Sequence, residues 1–192
     1  MRVETLGPEI VVPRVRGRFG RPYLYAETTP STQRMLGVEQ SEGAVAVAEE
    51  QTEGRGRLGR TWASPPHTSI LCSLLLEPPV ETQRLPELSI LAGEACADAI
   101  GRVTGLAPQI KLPNDVLIDG RKVAGILAEA RERRVVLGIG LNVNVDPADL
   151  PDGLRTPATS LSAELGRPVD RVELLVTLLE ALEEHYRRWL PG

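Results

Sequence analysis

The sequence predicts an α+β domain: a mixed, mainly antiparallel sheet with helices packed on one face. Three observations predict it. Apolar runs of strand length cluster in the middle of the chain, with helical patterns before and after them. Asp119-Gly120 sits between two such runs, a strong hairpin signal because both turn residues must tolerate positive φ. The last long segment, Val169–Leu190, repeats its apolar residues with helical spacing. A length of 192 residues suits one domain, or one domain with a small appendage.

In chain order, residues 1–20 read as an extended lead-in broken by Pro and Gly. The domain proper is expected over 21–192. Tyr23–Ala26 is a short strand. Pro30 and Ser31 open a short helix through Val38, with Pro placed where its missing N–H costs little. Ala44–Glu49 is a buried strand and Gln51–Pro66 a polar, Gly/Arg-rich loop. Ser69–Leu76 is an apolar strand stopped by Pro78-Pro79. Leu85–Val103 is a helix carrying Leu88, Leu91, Ala95, Ala99 and Val103. Val116–Ile118 and Lys122–Ala130 flank the Asp-Gly turn. Arg131–Arg133 is a second tight turn, and Arg134–Val145 completes an antiparallel meander. Residues 146–158 form a Pro-rich loop and Ala158–Gly166 a short helix. The closing helix turns Leu174, Leu175, Leu178, Leu182 and Trp189 inward.

Composition narrows the function. A net charge of −4 argues against a protein built to coat nucleic acid. The start lacks a basic, then apolar, signal pattern, and no stretch approaches the ~20 apolar residues of a membrane span. Cys72 and Cys96 lie in apolar surroundings without metal-ligand spacing and read as reduced core residues. A cytoplasmic enzyme fits. The only two lysines (Lys111, Lys122) and only three asparagines (Asn114, Asn142, Asn144) all fall between positions 111 and 144. That clustering suggests a site needing a compact ammonium and neutral amides.

Gly54-Arg55-Gly56-Arg57-Leu58-Gly59 matches G-x-G-x-x-G. The dinucleotide reading needs a helix to start there. Pro65-Pro66 forbids one. The Walker A spacing is absent. Arg55, Arg57 and Arg60 on a Gly-rich loop should instead repel one another, stay mobile in water, and close over a bound anion. A solvated surface loop is the plain alternative. In Lys111-Leu112-Pro113-Asn114-Asp115, Pro113 bends the chain between two strands, so that an amide and a carboxylate point into a shared space. Lys122 begins the next strand, and Gly125 permits close approach of a ligand to backbone. In Gly138-Ile139-Gly140-Leu141-Asn142-Val143-Asn144, the glycines weaken a strand unless something packs on the bare backbone, and Asn142 needs a partner.

Gly-Arg-Gly-Arg-x-Gly-Arg-x-Trp, Lys-x-Pro-Asn-Asp, Lys-Val-Ala-Gly-Ile-Leu and Gly-Ile-Gly-Leu-Asn-Val-Asn occur here in that order. Together they resemble the catalytic domain of biotin–protein ligases, over about residues 21–190. The resemblance implies the class II synthetase-like fold of biotin and lipoate ligases. It implies condensation of biotin with ATP to biotinyl-5′-AMP, then transfer to a lysine of a biotin carboxyl carrier protein, that of acetyl-CoA carboxylase or a similar enzyme. By that resemblance Ser31 and Thr32 bind the biotin ring, with Gln33 and Gln51 beside them. Gly54, Arg55, Gly56 and Arg57 cover the biotin tail and the phosphate. Gly125, Leu127 and Gly140 complete the biotin pocket. Trp62 stacks on adenine, Arg60 and Asn142 fix the nucleotide, and Lys111, Asn114 and Asp115 lie on the ATP side. Lys122 reaches both the biotin carboxylate and the α-phosphate and, with Arg57, carries the catalysis. ATP and biotin are substrates, and Asp115 is the candidate to help hold Mg²⁺.

Leu112 stands where the family commonly has Trp, and Gln33 where Asn is common. His67-Thr68-Ser69 replaces a Gly-containing turn. Relatives often add an N-terminal DNA-binding winged helix or a small C-terminal β-barrel. Neither is expected in this sequence, nor is specific DNA binding. Pairing of two copies through sheet edges is carried over by analogy. Two other readings stay open: a lipoate or octanoate ligase or transferase of the same superfamily, and a biotin-binding module without catalysis. Titration with biotin and with lipoate separates the first, and pyrophosphate release the second.

Overall fold

The computed structural model describes residues 5–150 and 156–191. Part of the expected Pro-rich loop lies outside them. Among the described residues a seven-stranded sheet runs through the molecule. Its strands are β1 (Tyr23–Thr29), β2 (Val45–Gln51), β3 (Ser69–Leu76), β4 (Gln109–Lys111), β5 (Asp115–Ile118), β6 (Arg121–Arg131) and β7 (Arg134–Asn142). The order across the sheet is β1-β2-β3-β7-β6-β5-β4. Only β1 and β2 run parallel; every other pairing is antiparallel. The expected fold class therefore holds.

The meander follows from its turns. Asp119 (φ 47°) and Gly120 (φ 76°) take the left-handed conformations that join β5 to β6 tightly. Glu132 (φ 58°) does the same between β6 and β7.

The helices α2 (Glu87–Thr104) and α4 (Arg171–Trp189) pack together over one face of the sheet. That face is aliphatic because strand side chains alternate. Ile70, Cys72, Leu74 and Leu76 of β3, and Val135, Leu137, Ile139 and Leu141 of β7, are all buried there. Helix α4 starts at Asp170, whose side chain accepts the Glu173 N–H at 2.9 Å. Both cysteines are free and buried in this layer.

The expected extended lead-in is corrected. Pro8–Val11 forms a helical turn (α1), continued by a 3₁₀ turn through Arg14. Leu6, Val11, Val15 and Phe19 are buried in the main core. Glu49, wholly buried on β2, accepts the Leu6 N–H at 2.6 Å and pairs with Arg171 at 2.6 Å. One carboxylate thus ties the first segment, the sheet and α4 together. The segment after Pro30 is a 3₁₀ turn, Thr32–Met35, shorter than expected, and it lies on the sheet face away from the helices. The short helix after the Pro-rich loop is α3 (Leu161–Leu165).

Candidate active site

The face of the sheet opposite the helices carries the site. The same alternation that buries Ile139 and Leu141 turns Gly138, Gly140 and Asn142 of β7 the other way. On β3 it turns Ser69, Leu71 and Ser73, and on β6 Gly125, Leu127 and Glu129. Register places Gly125 opposite Gly140, and Gly138 between Ser73 and Leu127. The result is a strip of bare backbone across two central strands. It is occupied from above. A Cβ at Gly138 would stand 2.6 Å from Gln33 Nε2, one at Gly140 would collide with the Trp62 indole, and one at Gly125 would stand 2.9 Å from that ring. The bare backbone lets these side chains lie directly on the strands, the close packing the sequence suggested.

At one end of the strip the lining is neutral and polar. Ser31, Thr32 and Gln33 are all buried on the 3₁₀ turn. Gln51 Oε1 accepts from Thr32 N at 2.8 Å and from Thr32 Oγ1 at 3.1 Å. Thr32 Oγ1 also lies 2.7 Å from Ser73 Oγ. Gln33 donates to Leu127 O at 2.9 Å. These groups line one cavity with Trp62, Lys122 and the loop arginines Arg55 and Arg57. Its free space is about 50 Å³. Small-molecule sites typically offer roughly 300 Å³ or more, and here the Trp62 indole lies over Gly140 and Gly125.

At the other end the lining is charged. Lys122 Nζ pairs with Asp115 Oδ1 at 2.7 Å and stands 5.5 Å from the Trp62 ring centre. Arg57 donates to Asn114 Oδ1 at 3.1 Å, and Asn114 donates to Ile126 O at 3.2 Å. The Arg-rich loop is a small hairpin rather than a free coil. Arg55 bridges Thr61, Gly56 N donates to Arg60 O at 2.7 Å, and Trp62 N donates to Gly54 O at 2.9 Å. Glu129 and Asn114 provide acceptors for two of its three guanidiniums, contacts the sequence reading did not foresee.

Several buried polar atoms lack a hydrogen-bond partner: Trp62 Nε1, Ser64 Oγ, Ser69 Oγ and Asn142 Oδ1. Ser69 and Asn142 are register partners, so two of these atoms sit side by side next to the glycine strip. Asn142 Nδ2 is satisfied by Thr159 O at 3.0 Å. Of these residues, Trp62 lines the cavity.

The structure brings Ser31, Thr32, Gln33, Gln51, Arg55, Gly56, Arg57, Trp62, Asn114, Lys122, Gly125, Leu127 and Gly140 around one cavity. Gly54 faces Trp62 across the loop hairpin, and Asp115 touches the cavity through Lys122. Arg60 instead lines the outer side of the loop, and Lys111 points to Thr156 at 2.9 Å. Asp115 does not fit a metal ligand as it stands: a lone carboxylate already neutralised by an ammonium is a weak cation site. No group of three acidic, His or Cys side chains suited to a metal occurs among the described residues. Sequence reasoning passed over Ser73 and Glu129. Both were readable as polar residues at site-facing positions of apolar strands.

Residues 25–146 match the family model described as "Biotin/lipoate A/B protein ligase family". The chain is 38% identical over 181 residues to the bifunctional ligase/repressor BirA of Bacillus subtilis, covering 90% of this chain and 56% of that protein. It is 41% identical over 156 residues to the biotin–[acetyl-CoA-carboxylase] ligase of Mycobacterium tuberculosis, covering 77% and 56%. The chain thus spans a little over half the length of these curated relatives. Its fold matches the biotin protein ligase from Aquifex aeolicus in complex with biotin and ATP. The TM-score is 0.78 and the identity 33%, over 86% of this chain and 70% of that one. No described helix is long and apolar enough to cross a membrane.

Proposed function

The chain belongs to the biotin/lipoate A/B protein ligase family, and on that premise we propose that it activates biotin with ATP and passes it to a carrier-protein lysine. The observation that carries the proposal is the polarity of the glycine strip: a neutral hydrogen-bonding end at Thr32, Gln33 and Gln51, and a charged end where Lys122 and Arg57 meet Asp115 and Asn114. A bicyclic urea with an aliphatic carboxylate tail has that same division. Its ring offers donors and an acceptor to amides and hydroxyls, and its tail offers a charge to an ammonium.

The chemistry follows from the charged end. A biotin carboxylate oxygen attacks the α-phosphorus of ATP. The bond from that phosphorus to the bridging oxygen breaks, and pyrophosphate leaves. The nucleophile and the target are both anions, so the site must first cancel their repulsion and then stabilise charge at phosphorus. Lys122 and Arg57 take that task, and Arg55 supports it. The product is a mixed anhydride. The carrier lysine attacks its carbonyl, and AMP leaves. A closed loop keeps water from the anhydride until then.

Mg²⁺, if it accompanies ATP, would supply further neutralisation of phosphate charge beside Lys122 and Arg57. Asp115 serves in this reading as the counter-ion that positions Lys122. Trp62 leaves the glycine strip and offers its ring to adenine. Asn142 and the unsatisfied atoms beside it are the acceptors and donors left for the base.

Mass spectrometry of the protein incubated with biotin, ATP and Mg²⁺ tests the proposal. Biotinyl-AMP and stoichiometric pyrophosphate are expected. Formation of lipoyl-AMP from lipoate, with none from biotin, assigns the alternative substrate. Biotin binding without pyrophosphate release leaves a binding module.

A further inference from the structure

Glu129 has no part in the proposed chemistry and has been met only as an acceptor for Arg55. It follows Gly125 and Leu127 on the site-facing side of β6 and precedes Arg131, so the sheet holds its carboxylate at the rim of the cavity. Arg55 approaches from the other side, at the base of the loop hairpin. Its Nη1 lies 3.1 Å from Glu129 Oε1 and its Nη2 3.1 Å from Oε2. That is the two-point geometry in which a guanidinium and a carboxylate fix each other's orientation. Arg55 Nη2 also lies 3.3 Å from Gln33 Oε1. Behind Glu129, Arg131 Nη2 is 3.8 Å away and donates at 3.1 Å to Gln33 O. The carboxylate therefore stands between two guanidiniums, one belonging to the loop and one to the sheet. Both reach the turn that carries Gln33.

The side chains of Arg55 and Glu129 are 43% and 28% exposed, so the pair adds little to global stability. Its effect is local. The base of the loop hairpin is also held by Trp62 on the glycine strip and by Arg55–Gln33, whereas its tip beyond Gly56 has only its short ladder and the Arg57–Asn114 contact. We propose that Glu129 is a positioning residue that latches the Arg-rich loop over the cavity through Arg55, in the absence of any ligand. The latch then sets how long an activated acid stays beneath the loop. This second half rests on the ligase reading; the first half does not.

Trypsin tests the latch directly, because the loop carries its own cleavage sites after Arg57 and Arg60. Fragments identified by mass report cutting there, and cutting after Arg102 within α2 reports global unfolding. Glu129→Gln is expected to speed loop cleavage about two- to fivefold, the scale of an exposed ion pair. Cleavage after Arg102 should stay at the wild-type rate. Arg55→Gln breaks the same pair from the loop side and keeps both reporter sites, so it decides the matter if Glu129→Gln unfolds. The double variant should be cut no faster than the faster single variant, the signature of one shared contact. Unchanged loop cleavage in both singles, or additive effects in the double, overturns the latch. In a second arm, wild type and Glu129→Gln are incubated with biotin, ATP and serum albumin. More biotin on albumin per biotinyl-AMP formed is expected for the variant. Equal labelling, with the loop opened, overturns the retention role. If wild type forms no biotinyl-AMP, the ligase reading fails, while the trypsin arm still decides the latch.

Discussion

The two faces of the sheet are built from the same strands and obey opposite rules. Toward α2 and α4, β7 presents Val135, Leu137, Ile139 and Leu141, all buried in one aliphatic core. Toward the loop it presents Val136, Gly138, Gly140 and Asn142, which turns from a small apolar cluster into bare backbone and an amide. On β3 the contrast is Ile70, Cys72 and Leu74 against Ser69, Leu71 and Ser73. Side-chain mass is thus concentrated on the face that holds the fold. It is withdrawn on the face where Trp62 and Gln33 now rest. One parity of residues stabilises the chain and the other leaves room for chemistry, so substitutions one position apart should fail in different ways.

The largest effect is expected on the helix face. Leu137→Ala removes a fully buried side chain and should cost about 2–5 kcal/mol of stability. Urea unfolding measures it, and protein that remains folded should bind biotin as wild type does. A loss of binding without a loss of stability would break the division between the faces. On the other face Lys122→Ala should act in the opposite sense. It removes a contact that strengthens in the transition state, worth about 3–4 kcal/mol, or roughly 10²–10³ in adenylation rate, with the urea midpoint little moved. Near-normal adenylation would take Lys122 out of the mechanism.

Arg57→Gly is the milder site-face change. A hydrogen bond to a charged group is worth about 1.5–3 kcal/mol, a tenfold to hundredfold weaker hold on biotinyl-AMP. The variant should make the anhydride and release it early, so added serum albumin becomes biotinylated. If it labels albumin no more than wild type does, the loop does not hold the intermediate through Arg57.

What the sequence made legible was local. The bounds of β3 match the expected Ser69–Leu76, because a mostly apolar stretch ends shortly before Pro78-Pro79. The Asp119-Gly120 turn and the closing helix likewise carry their signals within a few residues. What stayed hidden depended on distant partners. The loop arginines looked unpartnered because the acceptor for Arg55 is Glu129, 74 positions away. Ser73 looked like an ordinary strand residue because its partner, Thr32, is 41 positions away. The turn at Pro8–Val11 is too short to show helical periodicity, and its helical state comes with burial against α4. The three-residue β4 exists only as the edge partner of β5. Thirteen of the expected site residues do line the one cavity, since their motifs pack bare or amide-bearing positions onto one sheet face.

The most direct test places a side chain on the bare strip. At Gly138 an added Cβ meets only the side chain of Gln33, so a substitution there displaces that side chain rather than backbone. Calorimetric titration of biotin into the wild type and into Gly138→Val, with thermal unfolding of both, compares the faces in one residue. The account predicts a Tm within about 4 °C of wild type, the shift that roughly 1 kcal/mol produces in a chain of this length. It predicts biotin affinity weaker by up to about a hundredfold, the scale of an overpacking penalty of 1–3 kcal/mol. Unchanged biotin affinity in a folded Gly138→Val protein would contradict it, because the strip would then not be the bed on which the ligand lies.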